Sequence, residues 1–310
     1  MAFGVMFHHF HDSIENKVQG SISADDLNDI IFFLKKNYRL INASDFLTKA
    51  SQGCLESDEV CLTFDDGLRC QYEFAMPVLK YHRISAFFFI YTSIFTDTPD
   101  YLEVYRWFRT RNFQHIDEFY SAFFNRLTRH KSTIDVEVVH KLVVDSDYLS
   151  HSPFYSTSDR IFRFLRDQVL TRQEYDRVMH LMLAEADCDC SDIQEKLWMK
   201  EENVVDLVSN HHIVGLHSHN HPTQIHKLSR AEQKKEFLEN HRILKKVAGV
   251  KEINSMSHPC GNCNAQTLKV LDELGVTVGF MATMAEQQCF NRLKIPRIDH
   301  SVLLNEMRSL

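Results

Sequence analysis

Short apolar runs that each break off at a polar cluster, with an amphipathic stretch before the next run, set the strongest limit on how this chain can fold. Residues 2–7 are apolar and strand-like and stop at His8-His9-Phe10-His11-Asp12. Val60-Cys61-Leu62-Thr63-Phe64 stops at Asp65-Asp66-Gly67, residues 69–82 read as a helix, and residues 84–91 form the next strand. Ser23 and Asp26 mark a helix start, with Leu27, Ile30, Ile31 and Leu34 following at helical spacing. Strands that alternate with helices in this way are the mark of parallel βα units.

The rhythm then stops. No glycine occurs between Gly67 and Gly215, and residues of about 98–205 carry helix-spaced apolar positions such as Phe119, Phe123 and Leu127, or Val178 and Met182. This stretch is expected to be a large helical insertion whose aromatic repeats form helix core. From 211 the alternation resumes. Strands are expected over 213–216, 253–257, 276–281 and 293–298; a helix runs from Ser229 to Ala248, stopped by Gly249, and another is capped by Asn264. The whole chain, 1–310, therefore reads as one α/β domain, a (β/α) barrel of six or seven strands interrupted by the insertion.

Charge and composition narrow the partners. The 35 Lys and Arg against 42 Asp and Glu leave a formal net charge of −7, so broad electrostatic binding to nucleic acid or an anionic membrane is disfavoured. No segment is apolar enough to span a bilayer, and the first residues lack a basic region ahead of an apolar one, so a cytoplasmic location with reduced thiols is expected. Cys188-Asp189-Cys190 and Cys260-Gly261-Asn262-Cys263 have no second pair at zinc-ribbon distance and read as incidental thiols. There is no Gly-x-Ser-x-Gly elbow and no phosphate-cradling glycine loop.

Chemistry concentrates where strands end. In a parallel barrel those ends converge on one face, so Asp65-Asp66, His217-Ser218-His219-Asn220-His221-Pro222 and Ser257-His258-Pro259-Cys260-Gly261 can share a site despite their separation in sequence. Two adjacent carboxylates repel unless a cation or proton intervenes, and neighbouring side chains at a strand end point apart, so one can hold a metal while the other holds a water. His217 and His221 are four residues apart, which on a helical turn would place both imidazoles on one face. Two imidazoles and a carboxylate suit zinc with an open position for water.

At these residues the chain resembles the polysaccharide deacetylase (NodB-homology) family. Thr63-Phe64-Asp65-Asp66-Gly67 is similar to its first motif, and His217-Ser218-x-x-His221-Pro222 to its second. The resemblance implies a distorted (β/α)7 barrel and metal-dependent deacetylation of carbohydrates, with Asp65 as catalytic base and Asp66, His217 and His221 as ligands of a divalent metal, expected to be Zn2+. The third motif departs: Ser257 stands where the family has the arginine that orients the base, and Cys260 where it has a tyrosine whose backbone N–H helps hold the oxyanion. A backbone donor at Cys260 survives that change, and His258 reads either as a partial replacement for the arginine or as a satisfied structural histidine. Ile298-Asp299-His300 is similar to the last motif, which makes His300 the candidate general acid, with Arg297 or Asp299 behind it. His8 or His9 matches a histidine that lines the family's site.

The resemblance implies an N-acetylated sugar as substrate. With the cytoplasmic expectation, that points to a nucleotide sugar or lipid-linked glycan feeding surface polysaccharide or lipopolysaccharide synthesis. The helical insertion offers a cover for the site or a face for a homodimer. Two alternatives stay open: a related metal-dependent hydrolase of cyclic or other non-sugar amides, and an inactive barrel that binds glycan or a protein partner. Metal content and acetate release separate them.

Overall fold

The structure, a computed structural model, describes residues 1–13, 17–130, 134–150, 155–284 and 290–309. It divides into two compact units, one formed by Met1–Asp100 with Trp198–Leu310 and the other by Tyr101–Leu197. The first unit begins with β1 (Phe3–Phe7), α1 (Ala24–Asn37), β2 (Arg39–Leu40), α2 (Ala43–Gln52), β3 (Glu59–Asp65), α3 (Met76–His82) and β4 (Phe87–Ile90). The second unit supplies α4 (Leu102–Arg111), α5 (Ile116–His130), α6 (Val136–Asp145), α7 (Thr157–Phe164), α8 (Arg172–Glu185) and α9 (Cys190–Leu197). The first unit then continues with α10 (Glu201–Ser209), β5 (Ile213–Leu216), α11 (Arg230–Ala248), β6 (Ser255–Ser257), α12 (Ala265–Glu273), β7 (Val278–Phe280), β8 (Arg297–Asp299) and α13 (His300–Ser309).

Seven strands run in the order β7-β6-β5-β4-β3-β1-β8, every pair parallel, and β2 joins the start of β3 at the side. A parallel bridge between Phe280 and Ile295 ties β7 to the residues entering β8, so the two ends of the sheet meet. The result is a distorted (β/α)7 barrel. Its strands are buried on both faces, as the unbroken apolar run Phe87-Phe88-Phe89-Ile90 requires.

Strand periodicity sorts the side chains. Leu62, Phe64, Phe88 and Ile90 belong to the main core, together with Leu27, Ile30, Ile31 and Leu34 of α1. Their neighbours Cys61, Phe87 and Phe89 belong to a smaller cluster with Phe280 and Ile295. Alternate residues thus face opposite sides of the sheet, and on β3 the series that begins with Cys61 continues through Thr63 to Asp65.

Local signals explain the helices. Ser23 Oγ accepts from Asp26 N–H (3.1 Å) while Asp26 Oδ2 accepts from Ser23 N–H (2.8 Å), closing the box that starts α1. Gly249 ends α11 at φ 64, in the left-handed region that glycine enters at no steric cost. The continuous helix expected over 69–82 is instead a π-type stretch, Gln71–Ala75, followed by α3. Pro77 has no N–H to donate four residues back, which breaks the ordinary ladder there. In the second unit Phe119, Phe123, Leu127, Ile161, Val178 and Met182 are core residues, and Phe123 meets Phe162 edge-on at 4.9 Å. Among the described residues seven cysteines are present and all are free; Cys289 lies outside them. No described helix is long and apolar enough to cross a membrane.

Gly215 has no room for a side chain: a Cβ there would sit 2.6 Å from the Phe89 ring and 2.7 Å from Ser255 Oγ. Gly215→Ala is expected to destabilise the protein by about 1–3 kcal/mol through overpacking, read by urea denaturation.

Candidate metal centre

β3 delivers two carboxylates in two directions. Asp65 is the last residue of the strand, and Asp66 leaves it at φ 79. That positive φ costs less for aspartate than for a branched residue, and such strain gathers at functional sites. Gly67 follows at φ 64, where a Cβ would lie 2.9 Å from Ile90 Cγ2.

β5 delivers the histidines. His217 N–H donates to Asn240 Oδ1 (2.9 Å), and Asn240 Nδ2 in turn donates to Ile90 O (2.9 Å) and Thr92 Oγ1 (3.1 Å). α11 thereby pins the chain just past the strand end. His217 Nδ1–H donates to Ser257 O (2.9 Å), which leaves Nε2 as the lone-pair nitrogen, 3.3 Å from Asp66 Oδ1. His221 Nε2 lies 3.5 Å from the same oxygen, and the two rings are 4.8 Å apart. The helical turn expected at 217–221 is absent. Ser218 at φ 63 and His221 at φ 49 fold a tight loop instead, with Ser218 Oγ accepting from His221 N–H (3.1 Å). His219 turns to Thr92, its Nδ1 lying 3.1 Å from Oγ1.

Asp66, His217 and His221 are buried, and their ligand atoms lie within 4.8 Å of one another. Converging electron pairs on nitrogen and carboxylate oxygen fit a divalent cation, and the mixed N/O set is the one zinc accepts. Burial pushes the Asp66 carboxyl up, but His217, His221 and His8 hold it well below the usual carboxylate range. Burial also pushes the His217 imidazole down, and Asp65 and Asp66 more than offset that, leaving it raised.

Asp65 points inside the barrel and meets Arg297 from β8. Arg297 Nη1 donates to Asp65 Oδ1 (2.8 Å) and Thr63 Oγ1 (3.1 Å), and Nη2 to Asp65 Oδ2 (2.7 Å) and Ser257 Oγ (2.7 Å). Arg297 Nε donates to Met281 O (2.5 Å). All five guanidinium N–H groups are used, which is how a fully buried arginine is tolerated. Ser257 Oγ donates to Asp65 Oδ2 (3.0 Å), so Asp65 is clamped from two strands. Burial raises its carboxyl, and Arg297 with His217 outweighs that and lowers it. Ser257, read in the sequence as a missing arginine, makes room for an arginine arriving from elsewhere.

The other expected residues scatter. His258 is buried, its Nε2 lies 2.8 Å from Leu293 O, and burial pushes its imidazole down to about 4. It makes no contact with Asp65 that could replace the arginine, and Arg297 does that work. Cys260 sits at φ 52 in the turn Pro259–Gly261, immediately beyond β6. His300 is buried, its Nδ1 lies 3.0 Å from Met6 O and its Nε2 3.0 Å from Gly20 O, and its ring stacks on Phe7. With both nitrogens facing carbonyls, His300 is not placed to donate a proton to a substrate. His8 is half-buried, and its charge acts on Asp65, Asp66 and Asp299. His9 enters through its carbonyl, which accepts from Ile22 N–H (3.1 Å). Gln71, not singled out in the sequence, donates through Nε2 to both His8 O (2.9 Å) and Asp65 O (2.5 Å), tying β1 to β3 from the π-type stretch.

Residues 52–106 and 183–279 match the model of the polysaccharide deacetylase family. The chain belongs to that family. The skipped residues, 107–182, fall inside the helical unit. Three solved structures show the polysaccharide deacetylase fold over nearly the whole chain. The deacetylase PplD of Streptococcus pyogenes is 14% identical with a TM-score of 0.55, covering 98% of this chain and 96% of its own. A de-N-acetylase from Aggregatibacter actinomycetemcomitans is 14% identical with a TM-score of 0.56, covering 98% of each chain. IcaB from Ammonifex degensii is 14% identical with a TM-score of 0.55, covering 96% of this chain and 90% of its own. No curated protein sequence matches significantly.

Arg297→Ala strands the Asp65 carboxylate in the barrel and is expected to cost about 3–5 kcal/mol at pH 7. The folded carboxyl is lowered, so the pair stabilises fully above about pH 4 and that contribution fades as pH falls through the folded value. Urea denaturation at pH 7 and pH 3 should therefore show a larger difference between wild type and variant at pH 7.

Proposed function

We propose that the protein is a metal-dependent carbohydrate deacetylase that hydrolyses the amide of an N-acetylated sugar to acetate and a free amine. The observation that carries the reading is the set Asp66, His217 and His221, with ligand atoms within 4.8 Å, beside an Asp65 clamped by Arg297. Membership of the polysaccharide deacetylase family supports a hydrolase acting on acyl bonds. The description of the Aggregatibacter relative as a de-N-acetylase supports an N-linked acetyl as the group removed.

A zinc or similar ion held by Asp66, His217 and His221 would supply a Lewis acid that polarises the acyl carbonyl and acidifies water. The protein's own groups do the rest. Asp65 Oδ2 already accepts from Arg297 and Ser257, whereas Oδ1 accepts from Arg297 alone. Oδ1 therefore keeps the spare lone pair and takes the proton from the attacking water. The Cys260 backbone N–H, turned at φ 52 beside β6, is the proposed donor to the developing oxyanion. His8, half-buried in the field of Asp65, Asp66 and Asp299, is the histidine left to return a proton to the departing amine once His300 is committed to carbonyls.

Acetate release from N-acetylated nucleotide sugars, lipid-linked glycans, oligosaccharides and cyclic amides, with and without added zinc, tests the reading. Asp66→Ala, His217→Ala and His221→Ala are each expected to lose bound metal and activity. Asp65→Asn should keep metal and lose about 100-fold or more of turnover, as expected for a removed base. Full metal occupancy in all three ligand variants, measured by elemental analysis, would remove the metal assignment. Turnover confined to cyclic amides would move the substrate class, and no turnover on any member would favour the binding-barrel alternative.

A further inference from the structure

A cavity of about 450 Å³ opens at the entry ends of β4 and β5, among Asn42 and Ser44 at the start of α2, Lys80 and Arg83 at the end of α3, and His211 and His212 ahead of β5. His212 and His217 lie five positions apart along a strand, so the cavity lies roughly 16 Å from the metal centre, at the opposite end of the barrel. Its lining contains no carboxylate, in a chain whose formal net charge is −7. Neither Lys80 nor Arg83 has an ion-pair partner among the described residues. We propose that this cavity is a second ligand site, one that binds the phosphate group of a small phosphorylated molecule.

The deepest donor is His212, 7% exposed. Its Nδ1 accepts from Ala86 N–H (3.1 Å), so the proton of the neutral ring is on Nε2, which has no partner among the described residues. Burial holds this imidazole down at about 4, which keeps it a neutral donor at physiological pH. The one carboxylate whose charge acts on it, Asp206, already accepts from Tyr72 OH (2.9 Å). Asn42 adds an amide: its Oδ1 accepts from Ser85 N–H (2.9 Å), which turns Nδ2 outward, and its side chain does not cap α2. Donors and cations without acceptors are the complement of a phosphate dianion. Met76, Leu79 and Ile84 line the same cavity and give its organic part an apolar wall, and the volume falls in the range of small-molecule sites.

Calorimetric titration of the full-length, zinc-loaded protein with inorganic phosphate, a sugar phosphate and a nucleoside diphosphate tests this. Because phosphate also ligates metal ions, the same titrations are run on Asp66→Ala, whose cavity is unchanged. Saturable one-to-one binding of at least one probe is expected in both proteins. In the Lys80→Gln/Arg83→Gln double variant, which alters exposed side chains only, that binding should weaken by about tenfold or more while acetate release is unchanged. His212→Gln should weaken it as well. Tighter binding of the sugar phosphate or nucleoside diphosphate than of inorganic phosphate would support contact with the apolar wall. The proposal is overturned if no probe saturates at millimolar concentration, if binding disappears in Asp66→Ala, or if the double variant binds like wild type. None of these outcomes bears on the deacetylase reading, which rests on metal content and acetate release.

Discussion

The Arg297–Asp65 pair organises the interior of the barrel. A charged pair without water is costly unless every polar atom on it finds a partner, and here five guanidinium N–H groups meet Asp65, Thr63, Ser257 and Met281. The surrounding sequence follows from that demand. Gly4 on β1 is small because a Cβ would stand 3.1 Å from Arg297 Cγ. Thr63 accepts from Arg297 and passes its own proton to Val5 O (2.9 Å), so its hydroxyl is satisfied in both directions. Strands β1, β3, β6 and β8 are thereby joined through side chains as well as through the backbone ladder.

That clamp also decides how the two adjacent aspartates divide their work. Asp65 ends the inward series of β3 and is held rigid, whereas Asp66, one residue later and at positive φ, swings to His217 and His221. The histidines arrive from the far side of a long interruption in the sequence, yet β4 and β5 pair in register from Phe87↔Ile213 to Ile90↔Leu216. β3 and β4 pair just as directly, so His217 is set beside Asp66 by two ladders and one asparagine, Asn240, rather than by any local sequence signal.

Much of this was legible in the chain. Helix starts such as Ser23 with Asp26, Ser229 and Asn264 are local chemistry and read correctly, as did the strand ends at Asp65 and His217. A barrel of six or seven strands followed from the alternation, and the family resemblance implied its distorted (β/α)7 form. What escaped was long-range or depended on φ. The spacing of His217 and His221 suggested a helical turn, but two left-handed residues bring them together in a loop. His300 looked reactive by position, yet its fate depends on Met6 and Gly20 carbonyls nearly the whole chain away. Gln71 carried no motif, because its role depends on a π-type stretch that places it under two strand ends at once.

Ser257 shows why a departure from a motif need not be a loss. Its hydroxyl donates to Asp65 and accepts from Arg297, while its carbonyl accepts from His217 Nδ1–H. One residue therefore touches both the clamped carboxylate and a histidine of the candidate metal centre, the first through its side chain and the second through its backbone. An arginine at 257 would bring a second guanidinium against the same carboxylate, in a space already filled by Arg297. Two like charges sharing one buried anion would leave a positive charge unpaired in a dry interior, a costly arrangement. A small hydroxyl at 257 is the condition that lets β8 supply the arginine. The carbonyl contact to His217 is indifferent to that exchange, since every residue type at 257 carries it. The arginine can thus stand on another strand while Nε2 of His217 keeps its place beside Asp66.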